Sequence, residues 1–84
     1  MAKKNISEDN LIDFLEVILK VEGEVSLKDF KEKVKNSFNL TEYDLSQSTT
    51  RPNECMYEQR CRNLNSHKNF PQGVSYKNQV FKLN

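Results

Sequence analysis

Tryptophan is absent from the 84 residues, histidine occurs once, and cysteine, glycine and proline occur twice each. His67 with Cys55 and Cys61 cannot complete a four-ligand zinc site without carboxylates, and the two cysteines lack the two-residue spacing of a metal knuckle. No metal, disulfide framework or cofactor is expected. The same scarcity leaves no nucleophile, base and orienting group to assemble, so no enzyme is expected within these residues. No stretch approaches the roughly 18 apolar residues of a membrane span, and Met1-Ala2-Lys3-Lys4-Asn5 leads into an acidic amphipathic segment without an apolar signal core. A soluble, cytoplasmic protein with no membrane partner is the expectation. The length suits one domain, 1–84, with a single small core.

Negative charge is missing from one end. After Glu58 there is no Asp or Glu up to Asn84. Residues 1–50 carry seven Lys against ten Asp or Glu, a balance of −3; residues 51–84 carry three Arg and three Lys against two Glu, a balance of +4. The net +1 therefore conceals a basic part, and a basic stripe matters more to a polyanion than the mean charge does.

What is present is helical periodicity followed by alternation. Ser7 precedes a run in which Leu11, Leu15 and Ile18 recur at helical spacing, with Glu8 and Asp9 at the favourable end of the helix dipole and Gly23 as its stop. This predicts a helix over 8–22. Its apolar arc is about 220° wide, against roughly 100° for an ordinary surface helix, so Phe14, Val17 and Val21 are candidates for a partner or dimer interface. Glu24-Val25 reads as a short extended link. Ser26 caps a second helix over 27–38, with Asp29 placed as a capping-box partner, Leu27, Phe30, Val34 and Phe38 as its inner stripe, and Lys28, Lys31, Glu32, Lys33 and Lys35 as a solvated face. Asn39 suits a left-handed cap, and Thr41 opens one further turn over 41–46.

A polar loop, Ser46 to Pro52, leads to Asn53 as the cap of a third main helix over 54–66, with Tyr57, Cys61 and Leu64 inward. Asn69-Phe70-Pro71-Gln72-Gly73 breaks the chain, and Val74-Ser75-Tyr76 and Val80-Phe81-Lys82-Leu83 read as strands of a hairpin over 74–83 around Lys77-Asn78-Gln79. The fold class is α+β. Three main helices followed by a C-terminal hairpin is the order of a winged helix-turn-helix, whose last helix enters the major groove.

On that reading the outer face of the third helix presents Gln59, Arg62, Asn63 and Ser66, side-chain types that read base edges. Thr49, Thr50 and Arg51 precede the helix and His67 and Lys68 end it, placed for phosphates; Lys77 and Asn78 form the tip of the wing. Arg60, near the core edge, is expected to pack rather than touch a base. Cys61 is expected to be a buried hydrophobe and Cys55 a surface thiol, and Tyr57, Phe70, Tyr76 and Phe81 are expected to serve the core.

LEVILKVEGEVSLKDFKEKV from Leu15 to Val34, LTEYDL from Leu40 to Leu45, YEQRCRNLNSH from Tyr57 to His67, and the closing VSYKNQVFKL together resemble the bacterial winged-helix module at the N-terminus of Mrr-type and related restriction endonucleases. The resemblance covers nearly the whole chain. It implies double-stranded DNA as partner, with cleavage assigned to a separate nuclease domain. No nuclease motif is present before Asn84, which leaves a tethered nuclease, a free-standing DNA-binding protein or a homodimer as the expected contexts. The alternative is a protein–protein interaction or dimerisation module using the apolar face of the first helix.

Overall fold

The computed structural model describes residues 5–84. The elements follow in the order α1 (Glu8–Glu22), β1 (Glu24–Ser26), α2 (Leu27–Ser37), α3 (Glu42–Leu45), α4 (Met56–Ser66), β2 (Val74–Lys77) and β3 (Val80–Leu83). The architecture is α+β, with four helices and a three-stranded antiparallel sheet of order β1-β3-β2.

Local capping sets three of the helix starts. The Ser7 hydroxyl accepts from the Asn10 backbone N–H while the Asn10 side chain accepts from the Ser7 backbone N–H, so Asn10 completes a capping box around α1. Ser26 accepts from the Asp29 N–H at 3.1 Å and Thr41 from the Asp44 N–H at 3.1 Å. Gly23, at φ +82°, ends α1 in a conformation that a side chain would strain. Asn39 does not play the corresponding part after α2. The chain leaves that helix through Phe38 in an extended conformation, φ −112°, and the Phe38 ring stands edge-on to Phe14 at 5.2 Å. Packing of the aromatic decides the exit there, and no left-handed cap forms.

The residues after Gly23 form the first strand of the sheet, where the sequence indicates only a link. Val25 faces Phe81 in an antiparallel register that runs from Glu24 opposite Lys82 to Ser26 opposite Val80. An isolated two-stranded hairpin is marginal in water, and this third strand makes the sheet a packing surface. The hairpin turn is also one residue shorter than the sequence reading. Lys77 pairs with Val80 within the sheet, and the two-residue turn is Asn78-Gln79, at φ +53° and +60°. Two successive positive φ values mark the primed turn whose twist matches that of paired strands.

Phe81 occupies the middle of the central strand and is fully buried. Its ring lies 5.6 Å from that of Phe30 on α2, 6.0 Å from Phe70 and 4.7 Å from Tyr76 on β2. Leu11, Leu15 and Leu19 of α1, Phe30 and Val34 of α2, and Cys61 and Leu64 of α4 close around it, each almost wholly removed from water. The expected core roles of Tyr57, Cys61, Phe70, Tyr76 and Phe81 are thus observed. Phe14 also joins this packing, against Phe30 and Phe38, so the exposed apolar part of α1 reduces to Val17 and Val21.

One core residue is a carboxylate. Asp44 is fully buried and accepts from the Ile6 N–H through both oxygens, at 3.2 and 3.1 Å, and from the Thr41 N–H at 3.2 Å. It closes the capping box of α3 and ties the segment before α1 to it. Asp44→Ala would leave the buried Ile6 N–H without an acceptor. The expected cost is roughly 2–4 kcal/mol, read in thermal unfolding as a fall of about 10 °C or more, with a smaller loss for Asp44→Asn, which keeps one acceptor oxygen.

Candidate nucleic-acid interface

Helix α4 begins later than its sequence pattern suggests. Glu54 and Cys55 precede it outside the helix, Cys55 is extended and bridges Gln47, and the Cys55 N–H is capped at 3.1 Å by the Glu58 carboxylate. This places Glu54, 7% exposed, beside a side chain eight residues further on. Arg62 donates from Nε to Glu54 Oε2 and from Nη2 to Glu54 Oε1, each at 3.1 Å, and from Nη2 to the Thr50 hydroxyl at 3.0 Å. Burial acts to raise the Glu54 pKa, but the hydrogen bonds and charge of Arg62 outweigh it and hold the carboxyl below its ordinary value. The same hydrogen bonds raise Arg62 further.

The loop before α4 is bound to the helix by a second set of contacts. The Ser48 and Thr50 hydroxyls both donate to the side-chain Oε1 of Gln59, and the Thr50 N–H donates to the Ser48 hydroxyl at 3.1 Å. Gln59, Arg62 and Thr50, three of the residues expected at DNA, are therefore parts of one polar cluster that fixes the loop.

Beside this cluster an open cleft of about 740 Å³ runs between α2 and α4, with Gln79 of the hairpin turn on its wall. Lys28, Lys31 and Lys35 line it from α2, Arg51 from the loop, and Arg62, Asn65 and Ser66 from α4; Glu32 and Glu58 are its acidic members. Lys31 stands 3.9 Å from Glu58. Among the described residues Lys28, Lys35 and Arg51 form no ion pair.

Of the residues singled out in the sequence, Arg51, Arg62 and Ser66 share this cleft, while Gln59 and Thr50 face the loop cluster. Asn63 is half-buried and Thr49 exposed. His67 and Lys68 lie past the far end of α4: the His67 Nδ1 is 3.0 Å from Glu8 Oε2, joining that end to the start of α1, and Lys68 reaches Asn65 at 3.5 Å. Lys77 and Asn78 are exposed at the hairpin tip. Lys28, Lys31 and Lys35, taken from the sequence as a solvated face, are the residues that reading missed. Their spacing puts them on one side of α2, but the pattern of one helix does not reveal which neighbour borders that side.

The thiols are quiet. Burial pushes Cys61 up to about 12, and burial with the adjacent Glu58 raises Cys55, which is half-buried against the core instead of lying free at the surface. Tyr57 is likewise raised to about 12 by burial and then by Glu58. Arg60 is half-buried, with Nε closed off from water and without a hydrogen-bond partner among the described residues. No helix among the described residues is long and apolar enough to cross a membrane.

Comparison with protein-family models, with curated proteins and with solved structures finds no match to this chain.

The Glu54–Arg62 pair has a definite pH signature. Because the folded-state pKa of Glu54 is lowered, its contribution to stability is whole above the ordinary value of 4.5 and is lost as pH falls through the lower folded value. Denaturant unfolding followed against pH is expected to show a stability gap between the wild type and Glu54→Gln that is widest near neutrality and narrows in acid.

Proposed function

We propose that this chain is a winged-helix module that binds double-stranded DNA along the cleft between α2 and α4, with the hairpin as its wing. The observation that carries the reading is convergence: α4, the hairpin turn and the basic side of α2 border the same cleft. The order α1-β1-α2-α4-β2-β3 with sheet order β1-β3-β2, allowing for α3 as an inserted turn, suits a helix presented beside a wing. Lys28, Lys35 and Arg51 serve phosphates, and the outward part of α4 around Arg62 and Ser66 faces the bases. Thr49, Lys68, Lys77 and Asn78 are exposed outside the cleft lining and are assigned to flanking backbone contacts in this reading.

So few cations give modest affinity per copy, of micromolar order or weaker at physiological salt, so that a second copy or a tethered domain is needed for tight binding. The resemblance to the N-terminal modules of Mrr-type restriction endonucleases supplies such a domain, a nuclease directed by this module. A labelled duplex titrated at two salt concentrations tests the reading. Binding is expected at low salt, and Lys28→Ala with Lys35→Ala is expected to weaken it for every sequence and to reduce the slope of log K against log salt by about 2. Absence of binding at low salt defeats it.

A second reading rests on α1. Val17 and Val21 are 60% and 81% exposed, one helical turn apart on the same face. A protein contact there is compatible with DNA binding, since neither valine lines the cleft. If the contact is with a second copy, sedimentation is expected to show a concentration-dependent dimer that Val17→Glu with Val21→Glu abolishes; a monomer at high concentration rules out self-association.

A further inference from the structure

We propose that Arg62 reads a guanine and that Glu54 is the residue that positions it, an inference that rests on the DNA-binding reading and gives it a specificity. The guanidinium is held side-on, through Nε and Nη2, by a carboxylate that is itself 7% exposed. Glu54 therefore fixes both the plane and the direction of the group, as a long arginine side chain in water is not fixed. The adjacent end-on edge, formed by Nη1 and the remaining Nη2 hydrogen, is not used by Glu54. One of its two tines is occupied by the exposed Thr50 hydroxyl, a neutral partner at 3.0 Å that another acceptor can replace without uncovering a charge.

An end-on guanidinium edge fits two coplanar acceptors, which on DNA means two phosphate oxygens or the O6 and N7 atoms of guanine. Charge decides between them. With Glu54 bound to it, the Arg62 side chain is part of a neutral pair, which diminishes its attraction for a phosphate anion while leaving its directed N–H donors intact. A neutral acceptor edge is the better match. The cations without ion-pair partners around the cleft, Lys28, Lys35 and Arg51, are the ones suited to phosphate.

The pair makes an unusual prediction. Removing a negative charge from a DNA-binding surface ordinarily tightens binding to every sequence, whereas removing a positioning carboxylate abolishes discrimination. The 84-residue chain is to be used to select duplexes from a randomised library at low salt, as wild type, Glu54→Gln and Arg62→Lys, with circular dichroism confirming that each variant is folded. The wild type is expected to enrich guanine at one position by about 5- to 100-fold. Glu54→Gln is expected to hold or increase its overall affinity while losing that preference, and Arg62→Lys to lose it although its charge is kept.

Replacing the selected guanine by 7-deazaguanine, which removes the N7 acceptor, is expected to weaken wild-type binding, and this arm is independent of the folding of any variant. Binding without guanine enrichment, or enrichment that survives in Glu54→Gln, overturns the assignment and leaves DNA binding standing. A uniform loss in Arg62→Lys with selectivity intact assigns Arg62 to phosphate and overturns it equally. Failure of the wild type to bind any duplex overturns both readings together.

Discussion

The burial of Phe81 is the contact on which the remainder of the fold depends. It sits in the central strand, opposite Val25 on one side and Tyr76 on the other, and its ring meets Phe30 of α2 and Phe70 of the segment after α4. Elements from both ends of the chain are thus held by one side chain. A domain of this size has few fully buried residues to share the load, and a buried phenylalanine removed to alanine typically costs about 3–5 kcal/mol, a large part of ordinary domain stability. The position of the cleft follows from this contact, because Phe81 sets the sheet against α2 and brings the hairpin turn to the cleft wall.

Local signals in the sequence carry the helices well. Ser7, Ser26 and Thr41 cap α1, α2 and α3 where the pattern places them, Gly23 stops α1, and Tyr57, Cys61 and Leu64 point inward from α4. Each of these depends on neighbours within a turn or two. What the pattern does not show depends on residues far along the chain. The strand Glu24–Ser26 has only Val25 buried, and its partner strand lies more than fifty residues later, so nothing local distinguishes it from a link. Asp44 looks like a turn residue until Ile6, 38 positions earlier, is found donating to it.

The candidate site was legible in the same uneven way. The lack of Asp and Glu after Glu58 marks the stretch that holds most of the third main helix and the hairpin, but of the cleft's cations only Arg62 lies there; Lys28, Lys31, Lys35 and Arg51 come earlier in the chain. The engagement of Arg62 was not legible, because a helical wheel applies only within the helix. Glu54 lies before α4, outside the helix, and its approach to Arg62 depends on the course of the loop bound to Gln59. The three lysines of α2 were visible as a charged face, but their placement beside α4 is tertiary. A single sequence reports the sign of a surface more readily than it reports which surfaces adjoin.

The hairpin turn has one further tie. The carbonyl of Gln79 accepts the Leu27 N–H at 2.8 Å, so the first residue of α2, whose amide would otherwise lack a helical partner, is bonded to the turn itself. Turn and helix start are therefore one mechanical unit, and the cleft they border is shaped before any ligand arrives. Association with a preformed surface of this kind carries little ordering entropy, so a weak complex would form and dissociate quickly rather than slowly. The Leu27 amide also makes a local clock: its hydrogen exchange times the opening of the turn away from the helix.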